Sequence, residues 1–82
     1  MGTLRQQMEA AALVEQLMKS AFDRPRDPRS EAYKTGAKAL LMRRATGQPL
    51  YLPYSPGSTE FDAYQAGMDE GRAIWAAYEA KQ

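Results

Sequence analysis

The sequence predicts an all-α fold: a small three-helix domain in which a long N-terminal helix packs on a helix–Pro-rich turn–helix pair. Three observations predict it. Apolar residues recur at three- and four-residue spacing in three separate stretches, the period of a helix face. Proline-containing connectors separate those stretches. The segment Ala32-Tyr33-Lys34-Thr35-Gly36 is echoed by Ala63-Tyr64-Gln65-Ala66-Gly67, which puts glycines inside two of the helices. Each such glycine costs on the order of 1 kcal/mol relative to alanine, so a closely passing backbone is the physical reason to keep it.

A chain of 82 residues with 44% apolar content is expected to form one domain, 1–82, with a small core. Cysteine and histidine are both absent. That removes disulfide staples, thiolate chemistry, the usual zinc ligands and the usual general base. Small secreted domains are commonly stapled, so a cytoplasmic setting is expected. No apolar run approaches the roughly 20 residues needed to cross a bilayer, and residues 1–7 lack the charged-then-apolar layout of a leader. Neither a cofactor nor a metal nor a membrane is expected as a partner.

The first helix should span about 3–22, capped by Thr3. Ala10, Leu13, Val14, Leu17, Met18 and Ala21 form its stripe, with Leu4 and Phe22 extending it. The stripe reads first as core; its other reading is a homodimer seam through residues 4–22. Pro25 and Pro28 then break the helix. Asp27 is expected to cap a second helix of about 28–46, with Pro28 in its first position and Gly47 as its stop. Tyr33, Gly36, Ala37, Leu40 and Leu41 share one face of that helix. Residues 48–57 hold three prolines with Leu50, Tyr51, Leu52 and Tyr54, an extended path suited to cover a helix pair. Ser58 or Thr59 caps the third helix, 59–80, with Glu60 and Asp62 in its first turn. Phe61, Tyr64, Gly67, Met68, Gly71, Ile74, Trp75 and Tyr78 make its expected buried stripe. Gly67 and Gly71, four apart, open a groove for a neighbouring helix. A helix crossing is therefore expected where Gly36 meets Gly67 or Gly71, with Tyr33 and Tyr64 beside it.

Charge divides the chain. Residues 23–44 hold seven basic and three acidic side chains, whereas residues 58–82 hold two basic and five acidic ones. Attraction between two helices explains this as well as a binding surface does. For binding, Arg29, Lys34, Lys38, Arg43 and Arg44 are the candidate nucleic-acid contacts. Tyr51, Tyr54, Glu60, Asp62, Asp69 and Glu70 are the candidate contacts to a protein partner. Catalysis has little to work with: carboxylates, lysines and tyrosines are the only acid–base groups, and no serine has a base beside it. Neither Glu60 with Asp62 nor Asp69 with Glu70 forms a tight pair, since sequence neighbours on a helix point apart, and Asp69 and Glu70 read more simply as exposed helix charges. The chain is expected not to be an enzyme.

The segments Ala32-Tyr33-Lys34-Thr35-Gly36, Leu52-Pro53-Tyr54 and Tyr64-Gln65-Ala66-Gly67 together resemble the ribosome modulation factor family, small helical bacterial proteins also met in phage sequences. The resemblance covers roughly residues 31–71. It departs at Leu52, where the family has cysteine, at Met68, where tryptophan is common, and in the near-neutral charge. The resemblance implies attachment to small-subunit RNA, ribosome dimerisation and translational silencing, with Lys34, Lys38, Arg43 and Arg44 as the available RNA contacts. The competing expectation is a phage- or mobile-element-encoded inhibitor that docks on a host protein complex, such as a CRISPR or other defence nuclease assembly. There the tyrosine turn and one charged face would form the interface.

Overall fold

The computed structural model describes residues 4–23 and 29–82 and contains three helices, α1 (Leu4–Phe22), α2 (Glu31–Thr46) and α3 (Thr59–Ala80). No strand occurs among the described residues. The chain is a small all-α three-helix domain. The expected Thr3 cap and the connector 24–28 lie outside the described residues. Within them one boundary moves: α2 begins at Glu31, not at 28. Ser30 is its cap, extended at φ −65° and ψ 160°, with its Oγ accepting from the Tyr33 N–H at 3.2 Å. A hydroxyl directly before Glu31 meets the free donors of the first turn, so the Asp27-Pro28 pair is not the start. At the far end Gly47 takes φ 77°, and its N–H donates to the Arg43 carbonyl at 2.7 Å.

α2 is the central helix. α3 covers the larger part of it and α1 a smaller part. Coverage from two sides explains why Ala32, Gly36, Ala37, Ala39, Leu40 and Leu41 are all buried. α1 runs antiparallel to α2. Its C-terminal Phe22 meets Tyr33 edge to face with ring centroids 6.2 Å apart, and its middle Glu15 pairs with Lys38 at 2.6 Å. Val14 and Ala21 are buried at this contact, while Ala10, Leu13, Leu17 and Met18 are half-buried. Leu4, expected to extend the stripe, is 74% exposed, because it lies beyond the reach of α2.

The α2–α3 contact is made by main chains. A Cβ at Gly36 would overlap the Tyr64 carbonyl, 2.8 Å from its carbon. Reciprocally, a Cβ at Gly67 would overlap the Tyr33 carbonyl, 2.7 Å from its carbon. At Gly71 a Cβ would lie 2.9 Å from the Ala37 carbonyl oxygen and 3.1 Å from the Leu40 Cβ. Each Tyr-x-x-Gly segment thus lodges its glycine against the other segment's tyrosine carbonyl. Moving from Gly67 to Gly71 moves the contact from Tyr33 and Ala37 to Ala37 and Leu40, so the two helices advance in the same sense.

Helices that advance together need a connection that returns. Ten residues of α2 follow Gly36, about 15 Å of rise, and α3 must begin a turn before Tyr64. Residues 47–58 cover that distance through the stretch between Gly47 and the turn at 55–58, where about 3.3 Å per residue is available to extended chain. The strap is pinned on Tyr64: its hydroxyl donates to the Tyr51 carbonyl, and the Tyr54 ring stands edge-on at 5.9 Å. It ends in a tight turn with Pro56 and Gly57 at the corner. Gly57 sits at φ 88°, and the Ser55 carbonyl accepts from the Ser58 N–H at 3.2 Å. Ser58 then caps α3, its Oγ accepting from the Phe61 N–H at 3.0 Å and donating to the Ser55 carbonyl at 2.8 Å.

Candidate interaction surfaces

The five basic candidates are not equivalent. Lys34 pairs with Glu31 at 3.2 Å on its own helix, and Lys38 pairs with Glu15 across to α1. The Arg29 guanidinium lies over the Tyr33 ring, 4.8 Å from its centroid. Arg43 and Arg44, exposed in the last turn of α2, make no side-chain ion pair among the described residues. They suit the negative end of the helix dipole, and they are also free to bind an anion. The pairs of Lys34 and Lys38 are solvent-exposed, and such pairs contribute roughly 0–1 kcal/mol. A phosphate can displace them.

The six candidates for a protein partner divide similarly. Glu60 and Asp62 are exposed in the first turn of α3, at the end opposite Arg43 and Arg44. Asp69 pairs with Arg72 on the surface at 2.6 Å. Glu70 is half-buried and accepts from the Tyr33 hydroxyl at 2.5 Å. The expectation of an exposed helix charge is corrected there: Glu70 ties α3 to α2. Tyr51 is 65% exposed, between Leu50 and Leu52, whereas Tyr54 is half-buried against Tyr64. Burial, and then the neighbouring Tyr54 phenol, push the Tyr64 phenol above its ordinary value of 10.0.

Residues of α1 take the part read for them first, that of core. Its stripe is occupied by α2, and among its described large apolar side chains Leu4 and Met8 are the exposed ones. An open groove separates Gln6, Gln7 and Ala10 from Met42, Ala45 and the turn at 46–48. Its described lining residues include no titratable side chain. No group of three potential metal ligands occurs among the described residues. No helix there is long and apolar enough to cross a membrane.

Sequence reading missed one feature. Of the expected α3 stripe only Tyr64, Gly67 and Gly71 are buried, while Phe61, Met68, Ile74, Trp75 and Tyr78 are half-buried; the Trp75 and Tyr78 ring centroids lie 5.2 Å apart with planes tilted by 42°. The reason is that the glycines bring the two main chains together, so only the residues at the crossing itself are fully covered. Compared with protein-family models, curated proteins and solved structures, the chain matches none.

Proposed function

We propose that this is a non-catalytic RNA-binding protein, similar to ribosome modulation factor, that attaches to the ribosome and modulates translation. One observation carries the reading. The three segments of the resemblance are distant in sequence, yet they meet in one packed unit, where Tyr33 and Gly36 interlock with Tyr64 and Gly67 under Tyr54. Its RNA contacts would be Arg43 and Arg44 first, with Lys34, Lys38 and Arg29 recruited as their exposed partners exchange for phosphate. Binding to ribosomes and to generic RNA across a salt series tests it. Affinity should fall with salt, with a slope of about −0.7 per phosphate contacted on a single strand. A Lys34→Glu/Lys38→Glu protein should bind more weakly and with a shallower slope. Absence of binding at low salt sinks the reading.

A second reading, the inhibitor that docks on a host protein complex, draws on the strap. Leu50, Tyr51 and Leu52 are three consecutive exposed apolar side chains, and an aromatic flanked by leucines is the composition of an interface anchor. Capture of a protein complex that is lost in a Tyr51→Ala/Leu52→Ser chain, with RNA binding absent, would favour it over the first.

A further inference from the structure

We propose that Trp75 and Tyr78 of α3, together with Arg43 and Arg44 of α2, form a stacking platform for an unpaired stretch of RNA. The proposal rests on the RNA-binding reading above and names the part of the surface that would do the binding. It begins from register. Gly71 packs against Ala37 and Leu40, and the two helices advance together. Continuing that register by one turn pairs Arg43 and Arg44 with Ile74 and Trp75. α2 stops at Thr46, while α3 continues to Ala80. The core-facing side of α3 therefore runs past the end of α2 beyond Trp75, and Trp75 and Tyr78, like Ile74 before them, are half-buried.

That register assigns two groups of complementary chemistry to the same end of the α2–α3 pair. The indole and phenol rings, tilted rather than stacked on each other, leave aromatic face available. The Tyr78 hydroxyl makes no hydrogen bond among the described residues. The two arginines carry charge that no described acid neutralises. Aromatic faces beside free guanidinium groups are what a single strand uses: bases stack while phosphates take the cations. A duplex offers no unstacked base to such a ledge. Glu79, four residues after Trp75, is the acid on this stretch of α3 that opposes phosphate.

Trp75 is the chain's sole tryptophan, so its emission reports on this platform alone. The experiment titrates a short labelled oligouridylate into the full chain, following the label's anisotropy and, separately, the selectively excited tryptophan emission. The expected result is a saturable quench that tracks the anisotropy and reverses with salt. Trp75→Leu should weaken binding about five- to a hundredfold, the range for losing one stacked base. Trp75→Phe, which keeps a ring, should recover most of it and guards against simple misfolding of the leucine protein. Arg43→Glu/Arg44→Glu should abolish both signals, and Glu79→Gln should tighten binding. Binding without any change in emission, with Trp75→Leu and Trp75→Phe both at full affinity, overturns the platform and leaves the RNA reading standing. No anisotropy change at low salt removes the RNA reading itself.

Discussion

At the scale of single residues, Gly36 and Gly67 matter because of what their missing Cβ atoms would strike. Each would meet a carbonyl group of the facing helix, and main chain cannot rotate away as a side chain can. Overpacking costs about 1–3 kcal/mol, and backbone overlap belongs at the upper end. Gly67→Ala and Gly36→Ala should therefore lower Tm by on the order of 10 °C, at about 4–8 °C per kcal/mol for a domain this size. The gain of about 1 kcal/mol in helix propensity will not offset that. Gly71→Ala meets a looser contact, 2.9 Å at the nearest, and should fall between these and wild type. Thermal melts in which all three alanine proteins match wild type would remove the close crossing. Tyr64 gives a second test, through pH. Its phenol is held above 10.0 in the folded chain, so the native state keeps a proton that the unfolded chain releases. The resulting stability is fully present below pH 10 and is lost as pH rises toward the folded value. Tyr64→Phe should cost about 1 kcal/mol at neutral pH through its lost bond to the Tyr51 carbonyl. It should also flatten the alkaline fall in stability. A wild-type and Tyr64→Phe pair with parallel urea midpoints from pH 8 to 11 would show that this phenol is not the titrating group.

At the scale of elements, the two serine caps look alike in sequence but carry different loads. Ser30 accepts one bond from the Tyr33 N–H, whereas Ser58 accepts from the Phe61 N–H and also closes the preceding turn on Ser55. A capping serine replaced by alanine typically costs about 1 kcal/mol. Ser58→Ala should exceed Ser30→Ala, because it also loosens the end of the strap that returns the chain to α3. Equal midpoints in chemical denaturation would mean that the strap is held by Tyr54 and Tyr64 alone. The same comparison shows what was legible in the sequence. Gly47, Ser58 and the Pro56-Gly57 corner are local signals, since φ and capping chemistry depend on immediate neighbours, and α2 ends and α3 begins where they put them. The start of α2 was ambiguous because Asp27-Pro28 and Ser30-Glu31 are two valid start signals three residues apart. Periodicity described the face of α2 toward α3, yet it could not show that α1 would cover another side. Glu70 was misread for a similar reason: a lone carboxylate on a helix looks solvated until a tyrosine from 37 residues away reaches it. Among the candidate contacts, sequence could name the cations of α2 but not which would be paired. For Lys38 that depended on Glu15 arriving from α1.

At the scale of the whole molecule, the three helices spread over 36 × 29 × 18 Å with α2 in the middle, and the two contacts of α2 differ in kind. Toward α3 the backbones touch at three glycines, a buried tyrosine sits beside them, and Tyr33 hydrogen-bonds to Glu70. Toward α1 the contact is made of aliphatic side chains that are mostly half-buried, with one exposed ion pair, and the first two turns extend past it with Leu4 and Met8 exposed. Opening free energy follows the apolar area and main-chain burial that an opening exposes. Detaching α1 exposes less of both than separating α2 from α3. Native-state hydrogen exchange should accordingly resolve two steps. Amides of α1 should exchange through an opening that costs less than global unfolding and depends weakly on denaturant, with residues 4–10 the least protected. Amides around Gly36–Leu41 and Tyr64–Gly71 should exchange only through global unfolding, with the full denaturant dependence. Lys38→Ala should leave this order intact, since an exposed pair contributes no more than about 1 kcal/mol. Leu17→Ala should lower α1 protection while leaving the slowest amides of α3 almost unchanged relative to global stability. If α1 amides converge with those of α3 on a single isotherm, the domain is one cooperative unit and the unequal contacts of α2 have no thermodynamic consequence.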